Sequence, residues 1–197
     1  NFMQLVTANN LGYSINEKRL FHNLTFSLNS GCGLHIKGGN GSGKSTLLRI
    51  ILELTSPSKG RVDYCKPNLQ VSYLGHKNAI KHYLTPMQNL ELIFKSSALP
   101  DAITWMHTLG LNKVQDELTA NLSFGQQKKL ALIRIFASQS DLIVLDEPFV
   151  GLDNPSRDLL NKFLQKKLAS DSSLILTSHI EPNVLCSELV LTDNADD

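Results

Sequence analysis

Polar and apolar positions partly alternate along Gln4–Ala8 and again along Phe21–Leu28, which predicts two short strands. Between them, Tyr13-Ser14-Ile15-Asn16-Glu17-Lys18 has turn chemistry. Gly33-Leu34-His35-Ile36-Lys37 predicts a third strand that runs straight into a glycine-rich stretch, Gly38 to Gly43. The apolar-rich run Leu47–Leu54 then predicts a helix that stops near Ser56-Pro57. Lys59-Gly60-Arg61 suggests a turn, with strands near Arg61–Tyr64 and Val71–Leu74. From Thr85 to Leu118 the pattern turns helical, Pro86 opening one helix and Pro100 another. Leu142-Ile143-Val144-Leu145 and Leu174-Ile175-Leu176-Thr177 are unbroken apolar runs of the kind buried parallel strands show, and Leu159–Leu168 between them reads as a helix. Strands and helices alternate at both ends of the chain around a helical middle. That predicts an α/β core with a mostly parallel sheet and a helical insertion. Met3 is a natural start after Asn1-Phe2, and Asp193–Asp197 reads as a frayed acidic end.

Composition narrows the class. A chain of 197 residues, 42% hydrophobic and 19% charged, has the size of one α/β domain with a real core. The formal charge is +1, so no general basic field exists to hold a polyanion, and stable nucleic-acid binding is not expected. Cys32, Cys65 and Cys186 are widely spaced and odd in number, which fits a reducing compartment. No apolar run approaches the roughly 18 residues that span a bilayer.

Three segments carry chemistry. Gly38-Gly39-Asn40-Gly41-Ser42-Gly43-Lys44-Ser45 matches G-x-x-x-x-G-K-[ST] between a strand and a helix. In such a loop glycines let backbone N–H groups turn inward around phosphate oxygens, and the following helix adds its unpaired N–H groups and positive end. Lys44 would neutralise β/γ-phosphate charge, and the Ser45 hydroxyl would ligate Mg²⁺; Thr46 continues the site. Leu142–Leu145 ends in Asp146-Glu147, two carboxylates where a buried strand meets a loop, the usual ligand position of open α/β sheets. Asp146 would hold Mg²⁺, and Glu147 would polarise an attacking water as general base. Finally, Ser123 and Gln126 in Leu122-Ser123-Phe124-Gly125-Gln126 have capping-box spacing, so a helix should start there with N–H groups open to an anion.

Together these segments make the chain similar to the ATP-binding domains of ABC transporters, whose signature reads L-S-G-G-Q; Phe124 stands at its variable third position. The resemblance covers nearly the whole chain. Val150-Gly151-Leu152-Asp153 resembles the family's D-loop, Thr177-Ser178-His179 its switch histidine motif, and Tyr13 stands where many members stack an aromatic ring on adenine. It implies a P-loop NTPase core with an N-terminal antiparallel β part and a helical subdomain inserted at about 78–140. It also implies ATP with Mg²⁺ as ligands and a head-to-tail homodimer. In that dimer ATP lies between Gly38–Thr46 of one subunit and Ser123, Gly125 and Gln126 of the other, with Asp153 nearby and His179 on the γ-phosphate. An integral membrane permease would be the partner, with the chain peripheral on the cytoplasmic face of a bacterial inner membrane.

One departure is informative. Such families usually place a Gln after the strand equivalent to Val71–Leu74, to sense Mg²⁺ and the water; here Gly75-His76 stands there. An imidazole can take that sensing role, with a different reach and charge. Gly75-His76-Lys77, then Leu84-Thr85-Pro86-Met87-Gln88-Asn89-Leu90, resembles the subfamily of ATPase subunits that serve heme export in cytochrome c maturation, although Gln88 replaces the usual Glu. Two alternatives stay open: the ATPase of another small exporter (peptide, drug or lipid), and a soluble cassette ATPase acting on nucleic acid or ribosomes. His22, His35, His82 and His107 lack ligand-like spacing and read as structural or exposed; Trp105 reads as core of the helical region.

Overall fold

The computed structural model describes residues 3–16 and 18–192. Glu17 and the acidic Asp193–Asp197 lie outside the described residues, as do Asn1 and Phe2.

The elements run β1 (Gln4–Ile15), β2 (Lys18–Asn29), β3 (Gly33–Gly38), α1 (Lys44–Ile51), β4 (Lys59–Tyr64), β5 (Val71–Leu74), α2 (Pro86–Ile93), α3 (Leu99–Thr108), α4 (Phe124–Phe136), β6 (Leu142–Asp146), α5 (Asn154–Ala169), β7 (Ser173–Thr177) and β8 (Ser187–Leu191). They form two sheets. One is antiparallel, in the order β2-β1-β4; the other has five parallel strands in the order β5-β6-β7-β3-β8.

The unbroken apolar runs follow from cover on both faces of the parallel sheet. Along β6, Ile143 and Leu145 point into a core shared with α2, α3, α4 and α5. Leu142 and Val144 point into a second core, shared with α1 and the antiparallel sheet. Successive side chains of a strand face opposite ways, so a strand buried on both faces must be apolar at every position. Trp105 of α3 stacks on Phe136 of α4 with ring centroids 4.5 Å apart, and its edge meets Phe163 of α5. It therefore ties the helices between β5 and β6 to the sheet's helical face.

Four elements differ from the pattern-based expectation. β1 and β2 are 12 residues each, because register shifts at Asn10 and Asn23, both at positive φ, let the pairing continue past the polar stretch. α5 starts at Asn154 rather than Leu159, since Asp153 caps it and Pro155 suits its first turn. β8 was not expected. It is an edge strand with mostly exposed residues, and its apolar run, Leu189–Leu191, is only three residues long.

Candidate active site

The carboxyl ends of β3, β6 and β7 meet at one open cleft of about 570 Å³. Its walls include Asn40, Gly41, Gly43, Lys44, Ser45 and Thr46 on one side and His76, Asp146, Glu147 and His179 on the other. These residues come from four separate stretches of sequence.

The glycine-rich loop leaves β3 at Gly38 and enters α1 through Gly43, whose φ of 95° is left-handed. A side chain at Gly43 would be strained in that conformation and would also meet Leu20 Cβ at 3.2 Å and the Phe21 ring at 3.1 Å. No side chain caps α1 and its first turn holds no acidic residue, so its N–H groups are open to an anion. The Lys44 Nζ donates to the carbonyls of Gly38 and Gly39, both at 2.8 Å, which folds the ammonium back over the loop. The Ser42 hydroxyl is buried without a hydrogen-bond partner.

Across the cleft, Asp146 Oδ1 accepts from Thr177 Oγ1 at 2.6 Å. Glu147 is a non-glycine residue at φ 49°, a conformation that costs of order 1–2 kcal/mol. Its N–H donates to both the carbonyl and the hydroxyl of Thr177, each at 3.1 Å, which holds the strained turn in place. Glu147 Oε2 accepts from the backbone N–H of His179 at 3.2 Å. Oε1 is buried without a hydrogen-bond partner, with His179 Nε2 at 3.5 Å. The same Nε2 lies 3.1 Å from Asn40 Oδ1, so the His179 ring bridges the two walls.

His76 reaches the cleft from the loop after β5. That loop is anchored by Asn89 of α2, which is 1% exposed. Asn89 Oδ1 accepts from Lys81 N, while its amide nitrogen donates to the carbonyls of Lys81 and Thr85 and to Thr119 Oγ1.

Tyr13 does not line this cleft; its ring stacks on Phe21 with centroids 6.4 Å apart and borders a neighbouring depression with Arg19 and His22. The cause is a bulge: Tyr13 pairs with Phe21 and Ser14 with Arg19, which leaves Leu20 as the extra residue. Leu20 and Ile15 line the cleft instead. Period-2 patterning cannot reveal a bulge, so these two were missed.

Ser123, Gly125, Gln126 and Asp153 are not in the cleft. They form a second cluster. Ser123 Oγ accepts from Gln126 N while Gln126 Oε1 accepts from Ser123 N, the reciprocal box that caps α4. A Cβ on Gly125 would stand 2.7 Å from the Gly151 carbonyl, so only glycine allows this close approach. Asp153 Oδ2 accepts from Lys129 Nζ at 2.6 Å and Oδ1 from Ser156 N at 2.9 Å, which holds its carboxyl down at about 2. Exposed Phe124 packs its ring by Gly151 in this cluster, while exposed Val150 lines the cleft itself.

Sequence reasoning also missed Lys128. It is 2% exposed, on α4; burial pulls its ammonium pKa down while the charges of Asp146 and Glu147 oppose that shift. A lysine in a helix reads as solvent-facing unless tertiary packing is known.

A hydroxyl at Ser45 and a carboxylate at Asp146 on one cleft are the hard-oxygen donors Mg²⁺ takes, usually with substrate phosphates and water completing its shell. Among the described residues no cluster of three His, Cys, Asp or Glu side chains offers a metal cage made of protein alone. The residues present therefore fit a phosphate-bridging cation.

Comparison with known proteins agrees with this geometry. A family model described as ABC transporter matches residues 21–150. The cytochrome c biogenesis ATP-binding export protein CcmA of Idiomarina loihiensis is 38% identical over 81% of this chain and 78% of its own. That of Rickettsia bellii is 34% identical over 94% of this chain and 98% of its own. The dimeric structure of MJ0796, a bacterial ABC transporter cassette, shares the fold, with a TM-score of 0.79 at 22% identity over 96% of this chain and 95% of that one. With its phosphate loop, acidic strand end and capped signature helix in this order, the chain belongs to the ABC transporter family, among the cytochrome c biogenesis ATP-binding export proteins.

Proposed function

We propose that this chain is the ATP-hydrolysing subunit of an exporter that handles heme for c-type cytochrome maturation. The observation that carries the reading is the identity of 34% with a cytochrome c biogenesis export protein over nearly the full length of both chains. The cleft supports the chemistry, and Gly75-His76 supports the narrower assignment, since His76 stands in the cleft beside Asp146 and Glu147.

ATP enters with its phosphates over Gly38–Thr46. Lys44 leaves the Gly38 and Gly39 carbonyls and pairs with the β- and γ-phosphates. Ser45 and Asp146 hold Mg²⁺, which when bound neutralises phosphate charge. Glu147 takes a proton from the attacking water as its oxygen bonds to the γ-phosphorus and the bond to the β–γ bridging oxygen breaks, releasing ADP. Its buried, unpartnered Oε1 is the acceptor available for that proton. His179 and Asn40 border the γ-phosphate, and His76 senses the water from the wall that carries Asp146 and Glu147.

Ser123, Gly125 and Gln126 lie outside the chain's own cleft, so a second copy supplies them. This makes a head-to-tail homodimer with two shared sites, and the dimeric MJ0796 cassette supports it. Among the described residues no helix is long and apolar enough to cross a membrane. An integral membrane permease therefore carries the cargo path, and this chain docks on its cytoplasmic side. Exposed Tyr83 and Leu92, on and beside α2, are apolar surface for that contact.

The test is a chromosomal Lys44→Ala replacement in the bacterial host, with membranes stained for covalently attached heme. Loss of c-type cytochromes, restored by the wild-type gene, is expected. Normal cytochrome levels would mean that the exporter moves another cargo.

A further inference from the structure

His35, set aside in the sequence as a structural histidine, touches the reacting region through one peptide unit. It is 2% exposed, on β3, three residues before the glycine-rich loop. Its Nε2 lies 3.0 Å from the carbonyl oxygen of Ser178. That oxygen only accepts, so Nε2 carries the proton. The N–H of the same peptide, that of His179, donates to Glu147 Oε2 at 3.2 Å. A peptide unit is planar, so its C=O and N–H cannot turn independently. One rigid plane is thus held at one end by a buried imidazole and at the other by the carboxylate.

We infer that His35 is a positioning residue for Glu147, acting through the Ser178–His179 peptide. This rests on the reading of Glu147 as the group that activates water. Glu147 has few other restraints: Oε1 has no hydrogen-bond partner, and the His179 ring that faces it is half exposed. The turn beyond is fixed separately. Ser178 Oγ donates to the Ile180 carbonyl and accepts from the Ile180 N–H. Glu181 Oε2 pairs with Lys37 at 3.1 Å, with its Oε1 4.0 Å from His35 Nδ1. Loss of the His35 donor therefore leaves the turn in place but frees the one peptide that aims Glu147.

The test compares two polar variants of the full chain. In His35→Gln the amide nitrogen reaches about as far as Nε2 and keeps the donor; in His35→Asn it is too short. We expect His35→Asn to lower kcat by about tenfold or more, the effect of losing a buried hydrogen bond, with affinity for a fluorescent ATP analogue nearly unchanged. His35→Gln should restore most of kcat. A kcat for His35→Asn close to wild type would overturn the inference, as would a loss that His35→Gln fails to repair or one matched by lost nucleotide affinity. Glu147→Gln, assayed alongside, separates the two claims. If it hydrolyses ATP normally, the reading of Glu147 fails; if it is inactive while His35→Asn is not, only the role of His35 fails.

Discussion

Replacing Asp153 by Ala removes two contacts whose contributions can be worked out from the structure. Asp153 Oδ1 caps α5 through Ser156 N, and losing such a cap costs about 1 kcal/mol. Oδ2 pairs with Lys129 Nζ at 2.6 Å, but the Asp153 side chain is 54% exposed. Water screens the pair, which contributes at most about 1 kcal/mol. The sum, about 1.5 kcal/mol, should lower the melting temperature by about 5 °C in a domain of this size. Asp153→Asn keeps a good cap and loses only the pair, so it should fall less than half as far. The pH dependence has a definite sign. The folded carboxyl sits at about 2, below the ordinary 3.8, so its contribution is complete above the unfolded value and is lost as pH falls through the folded one. Thermal melts followed by circular dichroism at pH 7, and urea titrations between pH 5 and 2, would read both effects. A melting temperature for Asp153→Ala within about 1 °C of wild type would refute the reasoning. So would a stability gap that does not narrow as the pH falls toward 2.

Two further predictions follow from close packing. A Cβ at Gly125 has to displace the Gly151 carbonyl, so Gly125→Ala should keep ATP-analogue binding by the single subunit while steady-state hydrolysis falls by about tenfold or more. Equal losses of binding and hydrolysis would count against a role confined to the second cluster. Asn89→Leu leaves Lys81 N without its acceptor, while the Lys81 and Thr85 carbonyls each lose one of two donors and keep the backbone N–H groups of Leu84 and of residue 89, which should cost about 1–3 kcal/mol in urea unfolding followed by the single Trp105. A loss under about 1 kcal/mol would show that water replaces those bonds freely.

Local chemistry made much of this molecule legible in its sequence. The glycine-rich loop, the unbroken β6 run and the Ser123–Gln126 box are each written in adjacent residues, and each forms where the pattern puts it. Leu20 and Ile15 were not singled out, because a bulge at Leu20 shifts the register and a bulge has no signature in alternation. The left-handed turn at Glu147 is stabilised by Thr177, 30 residues away, and the burial of Lys128 depends on packing that its helix alone does not reveal. His35 shows the same limit: nothing near it in sequence says that its partner is the Ser178 carbonyl.

The central claim is that each site needs two copies of the chain. It is tested most directly by mixing two inactive variants, Lys44→Ala and Ser123→Arg. In a mixed dimer, one site combines the intact loop of one subunit with the intact Ser123 element of the other. Equal mixing should place about half the protein in such dimers, each with one working site, and restore about a quarter of wild-type hydrolysis. If the mixture stays as inactive as its components, the loop and the Ser123 element do not complete each other across subunits, and the shared-site account is wrong.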